Sequence, residues 1–338
     1  MRKLLPFLLT AAYHCVSGQS ASIERIGADL KLVEPFGIAF DSEGNAYICE
    51  HKGEKITKLD THGTASRFAG TGTASYSGDG GPADAAALHD PHGVQISAAG
   101  RMYIADTLNN RIREVDLKSG IVSTLAGTGE KGFGGDDGPA AQAKFDGTFG
   151  IALNSSGNKL YVADLGNRRI RVIDLKTGTI RSIAGNGKSG IPVDGAIAVY
   201  GPLQDPRAVA VDSKDNVYIL ERNGNALRVV DGQGKIRTAI KPGGNSPNLN
   251  GPKHLCVDPH DDVIVADAEN HLIRKYSPRD GSLIVIAGTG HMGGNLTMDD
   301  PLTTGLNRPH GVACAPSGEL YISDSYNNRI LKMKFISK

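Results

Sequence analysis

The amino-acid sequence predicts an all-β fold, a six-bladed β-propeller built from four-stranded antiparallel blades. Three observations lead to this prediction. A segment of the form "DPHGVQISAAGRMYIAD" occurs six times in 338 residues, at intervals of 46 to 58 residues that suit propeller blades. Glycine is abundant at 44 residues and tryptophan is absent, which favours short strands and tight turns over a helical core. The anchor residues of the six copies are Pro35, Pro91, Thr148, Pro206, Pro252 and Pro309.

The second copy shows how one repeat becomes one blade. Apolar and polar residues alternate in "GVQIS", "RMYIAD", "RIREVDL" and "IVSTLAG", which predicts four short strands. The intervening "AAG", "TLNN" and "KSG" contain Gly and Asn, which adopt the left-handed backbone conformations of tight turns at low steric cost. One meander cannot bury both of its faces, whereas six meanders around an axis can. The repeats therefore predict a closed ring.

The two ends of the chain are expected to meet in the sixth blade. The last copy stops after its third strand, at "RILKMKFISK". The segment "SIERIGADL" near the N-terminus is similar to the fourth strands of the other copies, such as "VSTLAGTG". We therefore expect residues near 22–28 to supply the outer strand of the last blade, which would remove an exposed sheet edge.

The strings "DTLNNRI", "DLGNRRI" and "DSYNNRI" resemble the NHL repeat family, whose members are six-bladed propellers. The resemblance covers about residues 22–338. Glycine-rich loops such as "TGTASYSGDGGPADAAAL" are similar to the long spacers of secreted bacterial NHL proteins. The family includes binding modules and a few enzymes, and fold alone does not choose between them. The resemblance implies a ligand-binding, protein-binding or scaffold module that acts through the channel mouth and its loops.

The N-terminal segment "MRKLLPFLLTAAYHCVSG" joins two basic residues to an apolar run too short to span a bilayer. This pattern predicts a signal peptide over residues 1–18, so the single propeller domain of residues 19–338 is expected to be secreted or periplasmic. No other segment is apolar enough to cross a membrane. The formal charge is +1, so no global field would draw the chain to nucleic acid or to an anionic membrane. We expect a monomer with no nucleic-acid partner and no membrane insertion.

The residue that follows each anchor differs from copy to copy. These residues begin the innermost strands, near the mouth of the central channel, and they are Phe36, His92, Phe149, Arg207, Lys253 and His310. A purely structural position would favour one residue type, and the long loops at 72–90, 129–147, 187–205 and 290–308 rise around the same mouth. The predicted ligand-binding residues are therefore His92, Arg207, Lys253, His254 and His310.

Neutral histidine both donates and accepts hydrogen bonds, and arginine presents a rigid charged fork. This combination suits a carboxylate or a phosphate, so we expect a polar or anionic small molecule or a protein segment. His92, Arg207 and His310 lie on alternate blades and should face the axis together. The alternative is that these side chains only line a water-filled channel.

Two enzyme families of this fold imply a different site. Peptidylglycine-amidating lyases hold zinc by three histidines in "PH" strings on alternating blades, and His92 and His310 match two of them. Arg207 occupies the third position, with His254 one residue out of register as a substitute. Gluconolactonases bind calcium through Glu, Asn and Asp; Glu34 could match the Glu, but their "PNG" string is absent. We expect no cofactor. The alternative is a lyase or lactonase-like enzyme that binds zinc or calcium at the central channel.

Two further sets of residues have structural interpretations. The acids that end the second strands are expected to cap turns, and the basic residues that follow should pair with carboxylates or cover blade edges. These acids are Glu50, Asp106, Asp164, Glu221, Asp267 and Asp324, and the basic residues are Lys55, Arg111, Arg169 and Arg329. Cys256 aligns with Ala313, one residue out of register with Cys314. Because strand residues alternate faces, the two sulfurs point either towards each other or away. We expect no disulfide, since inner strands of neighbouring blades often lie too far apart for one.

Overall fold

The computed structural model describes residues 20–27, 30–243 and 248–336, and the predicted signal peptide lies outside them. Over these residues the chain forms six antiparallel sheets, one for each predicted repeat. Within the described ranges, no helix has the length and apolar character needed to cross a membrane. The structure thus confirms the six-bladed propeller.

The first strand, β1 (Ser20–Ile26), belongs to the last blade, and the other strands follow the repeats in order. The first blade contains β2 (Pro35–Phe40), β3 (Ala46–Glu50), β4 (Lys55–Leu59) and β5 (Ala65–Ala69). The second contains β6 (Pro91–Ile96), β7 (Arg101–Asp106), β8 (Arg111–Asp116) and β9 (Val122–Ala126). The third contains β11 (Thr148–Leu153), β12 (Lys159–Asp164), β13 (Arg169–Asp174) and β14 (Thr179–Ala184), with the short β10 (Gly138–Pro139) at its outer edge.

The remaining blades repeat this order from the channel outwards. The fourth contains β15 (Pro206–Val211), β16 (Val217–Glu221), β17 (Ala226–Val230) and β18 (Ile236–Ile240). The fifth contains β19 (His254–Val257), β20 (Val263–Asp267), β21 (Leu272–Tyr276) and β22 (Leu283–Ala287). The sixth contains β23 (Gly311–Cys314), β24 (Leu320–Asp324), β25 (Arg329–Ile336) and β1. Single-turn 3₁₀ helices occur at Ala83–Ala85, Thr107–Asn109, Ala140–Gln142, Ala198–Tyr200, Ala268–Asn270, Pro301–Thr303 and Ser325–Asn327.

The predicted closure of the ring is confirmed. β1 pairs antiparallel with β25 from Ser20 opposite Ile336 to Ile26 opposite Ile330. The strand therefore begins two residues before the expected segment. Ile23 is fully buried in the core between the last two blades, so β1 contributes apolar burial as well as backbone hydrogen bonds.

Glycine two residues after the anchor of an inner strand allows neighbouring blades to approach closely. A Cβ atom on Gly93 would lie 2.7 Å from the carbonyl oxygen of Phe149, and one on Gly37 would lie 2.6 Å from that of His92. Such distances are shorter than a non-bonded contact permits. The glycine of the "FG" and "HG" strings is thus explained by the packing between neighbouring blades. In the fifth blade, His254 occupies the position of this glycine.

We expect Gly93→Ala to lower the free energy of unfolding by about 2 kcal/mol, because the added methyl group forces two inner strands apart. Gly232→Ala is the matched control, since a Cβ atom there would have nothing within 4 Å. It should stay within about 0.5 kcal/mol of the wild type. Urea unfolding measures both, and equal losses would contradict the close-approach explanation.

The acids that end the second strands have a structural role, as expected, but the predicted hydrogen-bond donors were wrong. Asp106 is fully buried and accepts a hydrogen bond from the backbone N–H of His89, 17 residues earlier, at 2.8 Å. It also faces the buried guanidinium of Arg113 at 3.3 Å, and not that of Arg111. Arg111 lies over the ring of Tyr76 at 3.7 Å, so it covers the blade surface instead.

Candidate functional site

The innermost strands bring the predicted binding residues together around one aromatic ring. Phe36, near the start of β2, is 3% exposed. Its ring centroid lies 4.6 Å from that of His92 and 5.1 Å from that of His310. The guanidinium carbon of Arg207 lies 5.5 Å from the same centroid, and the centroid of the His254 ring lies at 6.4 Å. Four predicted residues therefore share one site, at the channel end where the inner strands begin.

Two more side chains complete this group. The His51 ring lies 6.2 Å from Phe36 and 4.9 Å from His92. Lys253 follows the anchor of the fifth blade, and it is close enough that its charge contributes, after burial, to lowering the pKa of His310. We call the whole group the mouth cluster, and it comprises Phe36, His51, His92, Arg207, Lys253, His254 and His310.

Arg207 is a buried cation whose charge is not neutralised by direct contact. Its residue is 7% exposed, and its guanidinium carbon lies 4.1 Å from the centroid of the Phe149 ring. Within the described part of the chain, Arg207 has no hydrogen-bonded or ion-paired partner, and its Nε atom is fully buried. Burial and the nearby Arg222 lower its pKa, but a guanidinium stays charged at neutral pH. Stacking on an aromatic ring offsets part of the desolvation cost, and an anion would offset the rest.

The three predicted histidines are neutral at neutral pH. Burial and the charge of Arg207 hold the pKa of His92 well below its usual range, and burial lowers the pKa of His254 to about 4. Burial, together with the charges of Lys253 and Arg207, also holds the pKa of His310 well below its usual range. The Nδ1 atom of His92 faces the carbonyl oxygen of Asp90 at 2.7 Å, so it carries the hydrogen and leaves Nε2 as an acceptor. The buried Nδ1 of His310 has no partner among the described residues.

His51 is held between two carboxylates. Its Nδ1 lies 2.5 Å from Asp90 and its Nε2 lies 2.9 Å from Glu34. Both ring nitrogens are therefore engaged with carboxylate oxygens, which fixes the orientation of the ring. Burial raises the pKa of Asp90, but the bond from His51 and the neighbouring His92 and Lys52 outweigh it and bring that pKa well below its usual range.

The sequence prediction did not include His51, although a signal for it exists. His51 directly follows Glu50, the acid that ends β3. The residue after the corresponding acid differs in every blade, and the position that follows each anchor varies in a similar way. In the fourth blade it is Arg222, whose Nε pairs with Asp205 at 2.7 Å beside the mouth cluster.

The rim of the site carries cations that are paired with acids. Lys253 lies 3.8 Å from Glu269, and Arg308 lies 2.9 Å from the same carboxylate. Burial, together with the charges of Arg207 and Arg222, lowers the pKa of Lys253 to about 8. Lys253 is thus mostly charged at neutral pH and loses its charge just above it.

The mouth cluster is poorly suited to binding a metal ion. The potential ligand atoms of His51, Asp90 and His92 lie within 4.8 Å of one another, whereas His310 of the predicted zinc pair is not in this group. His51 already points both nitrogens at carboxylates, and Arg207 places a positive charge beside His92. The position that would supply a third imidazole in a zinc site therefore holds a cation.

Sequence models of known families match several blades. The NHL repeat matches residues 249–276 and 306–333, the teneurin NHL domain matches residues 71–132, and a β-propeller repeat matches residues 23–49. The chain is an NHL-repeat β-propeller. Two of the three strings that carried the resemblance, "DTLNNRI" and "DSYNNRI", lie within these matched residues.

Curated proteins with NHL repeats are similar to much of this propeller. SUPPRESSOR OF QUENCHING 1 of Arabidopsis thaliana is 28% identical over 257 residues, which cover 70% of this chain and 24% of that protein. NHL repeat-containing protein 2 of Homo sapiens is 28% identical over 190 residues, which cover 53% of this chain and 26% of that protein. Teneurin-1 of Gallus gallus is 29% identical over 237 residues, which cover 60% of this chain and 8% of that protein. The chain thus spans about a quarter or less of these relatives.

Solved structures share the fold at low sequence identity. An auxiliary nutrient binding protein from Bacteroides ovatus superposes with a TM-score of 0.67 and 14% identity, covering 95% of this NHL propeller and 78% of that chain. A streptogramin B lyase superposes with a TM-score of 0.56 and 15% identity, and the match covers 94% of this propeller and 98% of the lyase chain. The two neighbours have different functions, so the fold alone does not choose between binding and catalysis.

Proposed function

We propose that this NHL propeller is a secreted or periplasmic, monomeric binding module that takes an anionic group at the mouth cluster. The ligand is a polar small molecule or a protein segment that presents a carboxylate or a phosphate. One observation supports this most strongly: Arg207 is a buried cation with no hydrogen-bonded or ion-paired partner in the described part of the chain. The nutrient-binding neighbour supports a binding role for the same fold.

The residues around Arg207 suit an anion in three ways. The guanidinium fork can donate two parallel hydrogen bonds to a carboxylate or a phosphate. Lys253 adds a second positive charge at neutral pH, and the neutral His310 offers a buried Nδ1 atom that lacks a partner among the described residues. The rim acids already have partners of their own: Glu34 and Asp90 share His51, Asp90 also faces Lys52, and Glu269 faces Arg308.

A thermal-shift screen of the full chain with acidic sugars, acidic peptides and phosphates tests this proposal. We expect Arg207→Met to weaken binding of the best anion by about a hundredfold, the size expected when one charge-assisted hydrogen bond or more is lost. Its melting temperature should stay unchanged or rise, because the substitution removes a buried charge. Arg237→Met, at an exposed position of β18, is the matched control and should bind normally. The proposal fails if Arg207→Met unfolds the protein, or if every anion stabilises both forms equally.

Binding should also depend on pH through Lys253. The pKa of about 8 means that this side chain is mostly protonated at pH 7 and mostly neutral at pH 9. Because only the charged form attracts an anion, we expect the affinity to fall by about tenfold between these pH values. In Lys253→Arg the charge persists, so the affinity should vary little over this range. Isothermal titration calorimetry at each pH measures the effect, and a parallel decline in both proteins would exclude Lys253 as its source.

A lyase or lactonase-like enzyme at the same site is the second candidate, and His51 is the observation that favours it. An imidazole oriented by Glu34 and Asp90, with its ring 4.9 Å from His92, could take part in general acid–base catalysis. Metal analysis of the purified chain separates the metal-dependent form of this candidate from the binding module. We expect no stoichiometric metal, and one tightly bound zinc or calcium per chain that is lost in His92→Asn would favour the enzyme.

A further inference from the structure

The half of the channel opposite the mouth cluster contains a cavity of about 270 Å³. Its walls are the later residues of the innermost strands, and they are largely apolar, as Ile38, Leu153 and Val209 illustrate. Two cysteines also line it: Cys256 on β19 and Cys314 on β23. Both are partly exposed, whereas Cys49 is fully buried in the core between the first two blades.

The two thiols that line the cavity are in direct contact. The Sγ atoms of Cys256 and Cys314 lie 3.7 Å apart, on neighbouring inner strands of the fifth and sixth blades. Cys256 lies opposite Ile264 and Cys314 opposite Leu320, so the predicted offset of one residue is confirmed. The sequence left open whether this offset points the sulfurs towards each other, and the structure shows that it does, with both cysteines present as free thiols. The close approach of neighbouring inner strands is the physical reason.

We propose that Cys256 and Cys314 are a redox site that forms a reversible disulfide across the fifth and sixth blades. The Sγ atoms must close from 3.7 Å to about 2.05 Å, which small side-chain rotations and strand shifts can provide. The oxidant is a small-molecule disulfide of the glutathione class, which can reach the thiols because both are partly exposed. The cavity shares His254 with the mouth cluster, but the two thiols are not part of the proposed anion site and this proposal does not depend on it.

The exchange proceeds in two balanced steps. One cysteine loses its proton, and its thiolate attacks the small disulfide, which forms a mixed disulfide and releases one small thiolate. The second cysteine then loses its proton and attacks the protein sulfur of the mixed disulfide, which releases the second small thiolate. In total, two protein thiols and one small disulfide become one protein disulfide and two small thiols.

The surroundings of the pair set its reactivity. The contact with Cys314, with burial added to it, raises the pKa of the Cys256 thiol well above its usual range. Because the thiolate is the attacking form, oxidation should be slow at neutral pH and faster as the pH rises. Once formed, the disulfide would link residues 58 positions apart in sequence, which restricts the unfolded chain.

Treatment of the full chain with oxidised glutathione, followed by blocking of free thiols and peptide mapping, tests this proposal. We expect a cross-linked pair of peptides containing Cys256 and Cys314, lighter by two hydrogens than the reduced pair. The melting temperature should rise by about 5 °C and return to its starting value with dithiothreitol. A glutathione adduct that remains on either cysteine without a cross-link would overturn the proposal, and this readout needs no variant.

Variants locate the source of the temperature shift. Cys256→Ser and Cys314→Ser should each abolish the response to oxidised glutathione, whereas Cys49→Ser should keep it. A shift that persists in Cys256→Ser, or one that disappears in Cys49→Ser while the reduced protein remains folded, would assign the effect to another cysteine and overturn the proposal.

Discussion

Deletion of residues 19–30 is expected to lower the free energy of unfolding by several kcal/mol, a large part of a typical total of about 5–15 kcal/mol. The deleted segment contains β1, which pairs with β25 along seven residues and buries Ile23 between the last two blades. Without it, β25 becomes an exposed edge with the apolar residues of "RILKMKFI". Such an edge favours pairing between chains, so we also expect aggregation.

Rescue in trans separates the loss of this strand from a general effect of truncation. A synthetic peptide of residues 19–30 should restore part of the melting temperature by adding back the outer strand. The same peptide with Ile23→Asp should fail, because it would bury a charge where Ile23 is fully buried. If the truncated protein melts together with the full chain, β1 does not contribute to closure.

The sequence was sufficient to predict the architecture because each blade repeats the same local pattern. Alternating apolar residues, Gly and Asn turns and a fixed period agree in six copies, and the incomplete last copy predicts its own closing strand. The position after each anchor was informative for the opposite reason. It is the place where the pattern does not repeat, and the inner glycines bring its residues within one cluster around Phe36.

The features that the sequence did not predict depend on distances between blades. His51 reaches Asp90 across 39 residues of sequence, and no pattern within one repeat indicates that contact. Arg111 and Arg113 lie on the same side of β8 and both stack on the ring of Tyr76, but only Arg113 is buried and reaches Asp106, a pairing that the sequence did not indicate. The separation of Cys256 and Cys314 likewise depends on how tightly neighbouring inner strands pack.

The proposal of an anion site rests on a comparison between Arg207 and the other buried arginines of the propeller. In the blades themselves, a buried guanidinium faces a buried carboxylate, as Arg113 faces Asp106 and Arg171 faces Asp164. Arg207 departs from this rule, since no carboxylate within the described ranges lies in contact with it. The departure occurs at the channel axis, where a ligand could supply the missing charge.

The buried pair of Glu221 and Arg228 provides the second large effect that we expect. Glu221 ends β16 and is fully buried, and the Nε of Arg228 donates to it at 2.9 Å. We expect Glu221→Ala to lower the free energy of unfolding by about 3–5 kcal/mol, because Arg228 would keep only the Thr238 hydroxyl, at 2.5 Å, as a partner for its charge. Urea unfolding monitored by circular dichroism measures the loss.

A double-mutant cycle shows whether that loss arises from the pair. Glu221→Leu combined with Arg228→Met replaces both charges by apolar groups of similar size, and such a replacement is often nearly neutral. The double variant should therefore be more stable than Glu221→Ala and than either single variant of the cycle, Glu221→Leu or Arg228→Met, and the cycle should give an interaction energy of about 2 kcal/mol or more between the two sites. Glu221→Gln should fall between them, since it keeps an oxygen for the backbone N–H of Gln204, now bonded at 2.7 Å, but loses the charge. Strictly additive losses would mean that each residue contributes through packing alone, and the comparison of Arg207 with the paired arginines would lose its energetic basis.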